Sequence, residues 1–437
     1  MHDLPPDASL TQLLVAERPA LAAALARRFP DAAAGPGRAA WQRVEARGGR
    51  NAASERLARI DPVAYERSRN HVGGSVTGLS PWIRHGVVSL AEVRDAAIAH
   101  VAEPEQAAKL VAELGWRDYW RQVQAVLGDR IHDDIEPAAA PRWRRPRLDR
   151  MPDDVLAADT GMRCIDDFVA RLHAHGWLHN HERMWLASWL VHVRGVRWQI
   201  GADWFLEHLL DGDPASNHLS WQWIAGTFAA KPYLFNRENL ERFTAGAHCR
   251  ECPVLGRCDI EGSYEELAER LFVGPGEPAP PRIRPVAPEP RPTPSARPLV
   301  WITIDAVAAT SPAAAACPES PRLFVVDDRW LATERPALKR LVFLFECLAD
   351  VPGLEVLAGD PAELLPRFAA AHGCDGVALA ETTCPRTRSV AEALRGSLPV
   401  ATLPWPTFCD RSRVSDLGRF SRYWQKAGAS ALRPTPR

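Results

Sequence analysis

Two short stretches hold most of the chemistry that this sequence offers. The first is Asp211-Gly212-Asp213-Pro214-Ala215-Ser216-Asn217, where Asp211, Asp213 and Asn217 crowd one polar loop between two apolar helical segments. Arg183 begins the first of those segments, within Gly176-Trp177-Leu178-His179-Asn180-His181-Glu182-Arg183-Met184. Carboxylates, an amide and a guanidinium in an apolar frame match the hydrogen-bonding edge of a heteroaromatic ring. The same residue types also cap helices and form salt bridges, and their spacing alone does not separate the two uses. The second stretch is Cys249-Arg250-Glu251-Cys252 followed by Cys258, a C-x2-C-x5-C pattern. Three thiols this close form a metal-binding pattern in an intracellular chain, and soft sulfur ligands suit either an iron–sulfur cluster or structural zinc. Cys317, Cys347, Cys374, Cys384 and Cys409 have no ligand-like spacing and read as ordinary buried thiols.

Flat side chains add a third hint. The chain has 16 tryptophans, concentrated between Trp116 and Trp223; most would be core in any fold. A basic run, Arg142-Trp143-Arg144-Arg145-Pro146-Arg147 with Arg150 beyond, suits a phosphate backbone or a solvated loop. The net charge of −1 requires any nucleic-acid face to be a local patch.

The elements that position these residues fall into two textures. Over residues 36–273 apolar residues recur at helical spacing, as in 93–101, 168–175, 184–193 and 204–210, with turn residues between them. A separate leading helix is expected over 8–28 within residues 1–35, because Gly35-Pro36-Gly37 breaks the pattern. Proline crowds 274–298, which forbids helix or central strand there and marks a linker. From 299 to 427 short apolar runs (299–304, 323–326, 354–357, 376–380, 400–403) alternate with helical stretches at 336–349, 361–373 and 386–396. Strands apolar on both faces and separated by helices imply a parallel sheet covered on both sides. No G-x-G-x-x-G follows the first strand, which argues against a Rossmann dinucleotide site. Residues 428–437 read as a tail. No apolar run reaches the roughly 18 residues of a membrane span, and the N-terminus lacks a signal pattern, so a cytoplasmic location is expected.

On its motifs the chain resembles the photolyase/cryptochrome family. The 176–184 string and Asp211-Gly212-Asp213 through Trp221-Gln222-Trp223 are similar to the segments that surround a U-shaped FAD in that family. The resemblance implies that Arg183 and Asp211 pair beside the isoalloxazine, that Asp213 accepts from its polar edge, and that Asn217 sits against N5. Asparagine at this position is the photolyase-like choice, favouring the reduced flavin. Tyr65 with Val76-Thr77-Gly78-Leu79-Ser80-Pro81-Trp82 resembles the flavin-phosphate loop, with valine at 76 in place of the first threonine, and implicates Tyr65, Thr77, Leu79 and Ser80. Glu113-Leu114-Gly115-Trp116-Arg117 resembles the family's E-L-x-W-R, which turns Arg117 toward the phosphates. Glu113, Trp116, Asn180, Met184 and Trp223 would line the cavity for damaged bases, with Asn180 also near the flavin. Asn180 and Met184 stand where enzymes for (6-4) photoproducts have histidines, which implies a cyclobutane-dimer lesion.

Trp221 and Trp198 match the first two members of the family's tryptophan relay to the flavin, while Val155 holds the third place; Trp143, Trp185 and Trp189 are candidate termini. Thr160-Gly161-Met162-Arg163-Cys164 resembles the turn that supplies the first cysteine of bacterial iron–sulfur photolyases. The implied ligand set is Cys164, Cys249, Cys252 and Cys258, holding a 4Fe-4S cluster with a structural role. The implied fold is an all-α FAD-binding photolyase domain followed by an α/β Rossmann-like parallel-sheet antenna-type domain, a circular permutation of the usual order. An antenna chromophore of unknown identity, damaged DNA as partner, no membrane and a monomeric state complete the expectation.

Overall fold

A computed structural model of the protein describes residues 8–138, 141–142, 146–273, 280–286 and 292–434. Trp143, Arg144 and Arg145 of the basic run, residues 274–279 and 287–291 of the proline-rich segment and the end of the tail lie outside the described residues. Within the linker, 280–286 has no regular structure, yet Ile283 is buried and its carbonyl accepts from Leu417 N at 2.7 Å.

Helices fill the first part of the chain, each with a local reason for its ends. Ala108–Leu127 runs five turns and stops at Gly128, whose φ is +57°. Arg163–His175 ends at the left-handed Gly176. Asn180–Ser188 begins with a capping box between His179 and Glu182 and passes into a single π-helical turn, Trp189–Val193. Trp198–His208 precedes the polar loop, and Pro214–Ala225 follows it, with Asp213 as its N-cap and Pro214 in its first turn. The leading segment departs from the expected single helix: a 3-10 turn, Gln12–Val15, is followed by an α-helix, Arg18–Arg28. Pro19 explains the break, since proline fits the first turn of a new helix and not the interior of a continuous one.

Five strands form the expected sheet: β1 (Pro298–Ile302), β2 (Arg322–Asp327), β3 (Leu354–Gly359), β4 (Gly376–Ala380) and β5 (Val400–Leu403). Their order is β3-β2-β1-β4-β5, and every pairing is parallel. Leu299, Trp301, Leu323 and Val325 point to one face and pack with Leu365, Phe368, Val390 and Leu394 from Pro361–Ala371 and Pro385–Leu394. Val300, Ile302, Phe324 and Val326 point the other way, into a core shared with Leu338–Leu348 and with Leu21, Leu25, Trp82 and Val93 of the helical part.

That shared core makes the two parts interlock. Arg18, 7% exposed, bonds Glu346 on Leu338–Leu348 at 2.6 Å. The last helix, Phe420–Ala431, runs past the boundary expected at 427 and lies on Ala108–Leu127. There Phe420 stacks on Trp116, and the Tyr119 hydroxyl donates to Leu417 O at 2.8 Å. No helix among the described residues is long and apolar enough to cross a membrane.

Candidate active site

The polar loop is held by side chains from several helices. Arg183, on Asn180–Ser188, donates to both oxygens of Asp211 at 3.1 and 2.9 Å, and Asp211 also accepts from the hydroxyl of Ser80. Burial pushes the Asp211 carboxyl up, but Arg183, Ser80 and Arg117 outweigh it and hold the group below the usual carboxylate range. Asp213 caps the next helix: its Oδ2 accepts from Ser216 N at 3.1 Å and Ser216 Oγ at 2.6 Å. Burial again opposes ionisation there, and Arg117, Arg84 and Arg121 reverse the balance and hold the carboxyl low.

Arg117 lies 3.8 Å from Asp213 with its side chain 13% exposed. Its Nε and one terminal nitrogen are buried without a hydrogen-bond partner. Burial pushes its guanidinium down to about 10, against the pull of Asp213. Buried donors left open in this way call for an acceptor from outside the protein. Asn217 donates Nδ2 to Ala202 O at 2.8 Å. Only the amide nitrogen can face a carbonyl, so Oδ1 is the atom left free to accept.

A second cavity, of about 380 Å³, brings Tyr65 and Thr77 together with Arg47, Arg56, Arg59 and Trp82. Arg56 lies over the Trp82 ring at 5.2 Å. Leu79 is fully buried at the entry to Ser80–Arg84, and Thr77 Oγ1 accepts from Leu79 N at 3.4 Å. The three arginines were invisible in the sequence because the segments around them, the helix Arg50–Leu57 and its flanks, carry no recognisable motif.

Of the expected lesion-cavity residues, Asn180 and Met184 meet one another: Asn180 Nδ2 lies 3.2 Å from Met184 Sδ, one helical turn away. Glu113 Oε1 is held by Arg69 at 3.2 Å and Lys109 at 3.0 Å. Trp116 stacks on Phe420 with ring centroids 3.8 Å apart, so one of its faces is covered. Trp223 pairs with Tyr233 at 5.5 Å. His179 and His181 serve the helix start and an aromatic cluster with Trp185 and Phe243.

Trp221 and Trp198 are 2% and 4% exposed on adjacent packed helices. Gly201, one turn after Trp198, makes this possible, because a Cβ there would come within 2.3 Å of the Trp221 ring. Trp198 Nε1 donates to Asp134 Oδ1 at 2.6 Å. Val155, where a third relay tryptophan was expected, is fully buried.

All four cysteines of the proposed ligand set are free. Cys164 starts Arg163–His175, and the 249–258 loop is pinned to the same helix by Arg163–Glu251 at 2.7 Å and His248–Asp167 at 2.8 Å. Burial, followed by the electrostatic influence of Cys249, Cys252 and Cys258, pushes the Cys164 thiol up. Among the described residues, no group of three or more His, Cys, Asp or Glu is arranged to hold a metal ion.

A further cavity, of about 1150 Å³, opens at the carboxyl ends of β1, β4 and β5, where the strand order reverses. Asp305, Thr382, Thr402 and Trp405 come from the sheet side, and Asp118 and Arg121 from Ala108–Leu127. Ligands of open α/β sheets bind at this kind of reversal point. One residue from the sheet part reaches the polar loop itself: Arg340, 2% exposed, donates to Gly212 O at 3.1 Å and also to Leu206 O. Arg84 donates to the same Gly212 carbonyl at 2.7 Å. Two cationic side chains inside the apolar run Leu338-Lys339-Arg340-Leu341 were the signal for this contact.

Residues 110–245 match the family described as the FAD binding domain of DNA photolyase. Curated relatives include the deoxyribodipyrimidine photo-lyase of Streptomyces griseus, 36% identical over 170 residues, which are 37% of this chain and 35% of that one. A cryptochrome DASH of Ostreococcus tauri is 30% identical over 233 residues, 50% of this chain and 41% of that one. The chain thus spans about 35–41% of the length of these relatives. Among solved structures, an archaeal photolyase from Sulfolobus tokodaii holding two FAD molecules overlaps 46% of this chain and 45% of that one, at 27% identity and a TM-score of 0.38. Together the domain match and the named relatives support the photolyase/cryptochrome family.

Proposed function

We propose that this protein repairs DNA with light, splitting cyclobutane pyrimidine dimers by an electron from reduced FAD. What supports the reading most is the convergence of Arg183, Asp211, Arg117 and Asn217 on one buried polar site with open hydrogen-bonding atoms. FAD, when bound and reduced, supplies the photochemical electron. The protein's own residues do the rest. Arg183, paired to Asp211, offers a fixed positive edge to the ring, and the unpartnered donors of Arg117 suit the pyrophosphate. Tyr65, Thr77, Ser80 and the backbone at Leu79 complete the phosphate side, with Asp213 on the polar edge. The free Oδ1 of Asn217 accepts from a protonated N5, which favours the reduced ring.

On the lesion side, a flipped-out dimer needs new stacking partners, and the open face of Trp116 and the ring of Trp223 would provide them. Asn180 and Met184 form the opposite wall. Glu113 borders the same space, and Arg69 and Lys109 beside it bring positive charge to where negative charge arrives. Trp221 and Trp198 would refill the flavin site with electrons.

Cys164, Cys249, Cys252 and Cys258 would hold a 4Fe-4S cluster that braces the end of the helical part. What supports it is the tie between the helix of Cys164 and the 249–258 loop through Arg163–Glu251 and His248–Asp167. The 1150 Å³ cleft would take an antenna chromophore, and the order of helical part before sheet would be a permutation of the family's arrangement.

Both photo-lyase and cryptochrome DASH names occur among the relatives, so a light-receptor role without repair is the competing reading. Blue-light illumination of anaerobically reduced protein with a dimer-containing oligonucleotide distinguishes them. Restoration of intact thymines, lost in Glu113→Ala, is the expected result. A reduced, FAD-loaded protein that leaves dimers intact would overturn the repair assignment.

A further inference from the structure

We propose that Asp134 is the proton acceptor that terminates the tryptophan relay at Trp198. This rests on the reading of Trp221 and Trp198 as electron carriers to a flavin, and it answers the problem posed by Val155 in the third position.

Of the candidate outer ends, Trp143 lies outside the described residues, and the surroundings of Trp185, Trp189 and Trp198 itself separate the rest. Trp185 is fully buried, and its Nε1 donates to the amide oxygen of Asn239 at 3.3 Å, a group that cannot take a proton at neutral pH. Trp189 is 1% exposed, its Nε1 reaches Asp259 at 3.2 Å, and the Arg194 guanidinium lies over its ring at 5.0 Å. A fixed cation on the ring face opposes a second positive charge in the ring. Trp198 has the opposite setting. Its Nε1 donates to Asp134 Oδ1 at 2.6 Å, at the short end for an N–H to carboxylate bond, and Asp134 is exposed to water. Among the described residues, charged or titratable neighbours on this side include Arg147, which attracts Asp134, and His218, edge-on to Trp198 at 6.0 Å. His218 in turn lies 3.3 Å from Asp203 and 4.3 Å from the His132 ring.

Trp221 gives one electron toward the flavin and takes one from Trp198. Oxidation turns the Trp198 indole from a very weak acid into a strong one, so its Nε1 proton passes along the existing hydrogen bond to Asp134. A neutral indolyl radical and a neutral carboxyl result, and the carboxyl releases its proton to water. A soluble thiol then returns one hydrogen atom to the radical. Proton loss removes the charge that would otherwise draw the electron back, so the carboxylate does the work that a third, solvent-exposed tryptophan would do.

The test uses the full chain and a flash-generated ruthenium(III) polypyridyl oxidant, so no flavin photochemistry is needed. Transient absorption distinguishes the indole radical cation from the neutral radical, and Trp198→Phe identifies the share of signal that belongs to Trp198. In the wild type that share is expected to be neutral from the earliest times. Asp134→Asn, a surface change, should slow its deprotonation by about 10²-fold or more, the usual worth of a positioned base, and Asp134→Glu should restore most of the rate. An unchanged deprotonation rate in Asp134→Asn, or no loss of signal in Trp198→Phe, would overturn the proposal. Flavin released on denaturing the same samples is measured in parallel. Its absence would strike the flavin reading and leave the Trp198–Asp134 result to stand by itself.

Discussion

In the loop at 211–217 the carboxylates are already clamped by protein partners, whereas the cleft at the carboxyl ends of β1, β4 and β5 is walled by side chains drawn from distant parts of the chain. Asp211 is held by Arg183 and Ser80, Asp213 by its own helix, and Gly212 O by Arg84 and Arg340. The cleft depends on Asp118, 5% exposed, which gathers Arg411 at 2.9 Å, the Tyr423 hydroxyl and Cys409 from beyond β5. The first site is stiff before any ligand arrives; the second is a seam between two parts of the fold. Preorganisation suits a site that must hold one ring in one orientation, and a seam suits a ligand whose binding closes two bodies together.

Arg183→Ala should break this contrast most strongly. It leaves the Asp211 carboxylate buried without its main partner, at a cost of roughly 3–5 kcal/mol. Chemical denaturation should register that loss, and FAD titration should show no binding. Next comes Arg340→Met, which removes charged donors to Gly212 O and Leu206 O and the buried partner of Glu334 at 3.3 Å, leaving Arg386 beside that carboxylate, for about 2–3 kcal/mol. If the sheet part steadies the flavin loop, FAD affinity should fall about tenfold or more, a change of about 1.4 kcal/mol. Affinity unchanged in this variant would show that Arg84 suffices.

Gly115→Ala acts on the seam alone. A Cβ there would come within 2.2 Å of the Trp424 ring, so the Phe420–Ala431 helix must shift, at about 1–3 kcal/mol. FAD affinity should change little, while the midpoint of thermal unfolding falls. The last handle is pH and needs no substitution. Burial pushes His85 down to about 3 and His173 and His181 down to about 4, from an ordinary value of 6.5. The unfolded chain takes up these protons from about pH 6.5 downward and the folded chain does not until about 4, so stability should decline across that window. Denaturation midpoints at pH 7.5, 6 and 5, chosen as roughly bracketing values, would record it.

Local signals account for much of this contrast. The five apolar runs form the five strands, and the string from Asp211 to Asn217 forms the polar loop, because strand and cap patterns are written in neighbouring residues. The break at Pro19 is legible by the same rules, but a single apolar pattern drawn over 8–28 runs straight through it. What the residues do not disclose is long-range. Nothing near residue 116 announces Phe420, nothing near 198 announces Asp134, and nothing near 212 announces Arg340. Each of these contacts is set by how helices stack after they form. The cysteines lie between the two cases: their spacing is local, but the loop that carries three of them is tied to the helix of Cys164 by Arg163–Glu251 and His248–Asp167.

Spectroelectrochemical titration of bound FAD, in the wild type and in Asn217→Asp, tests the central claim most directly. The folded wild type should retain FAD and take it to the fully reduced state. Asn217→Asp should lower the reduction potential, because a carboxylate facing N5 repels the electrons that the amide oxygen accommodates. A folded wild-type chain that binds no FAD, or a potential indifferent to the charge at 217, would contradict the placement of the ring against this loop.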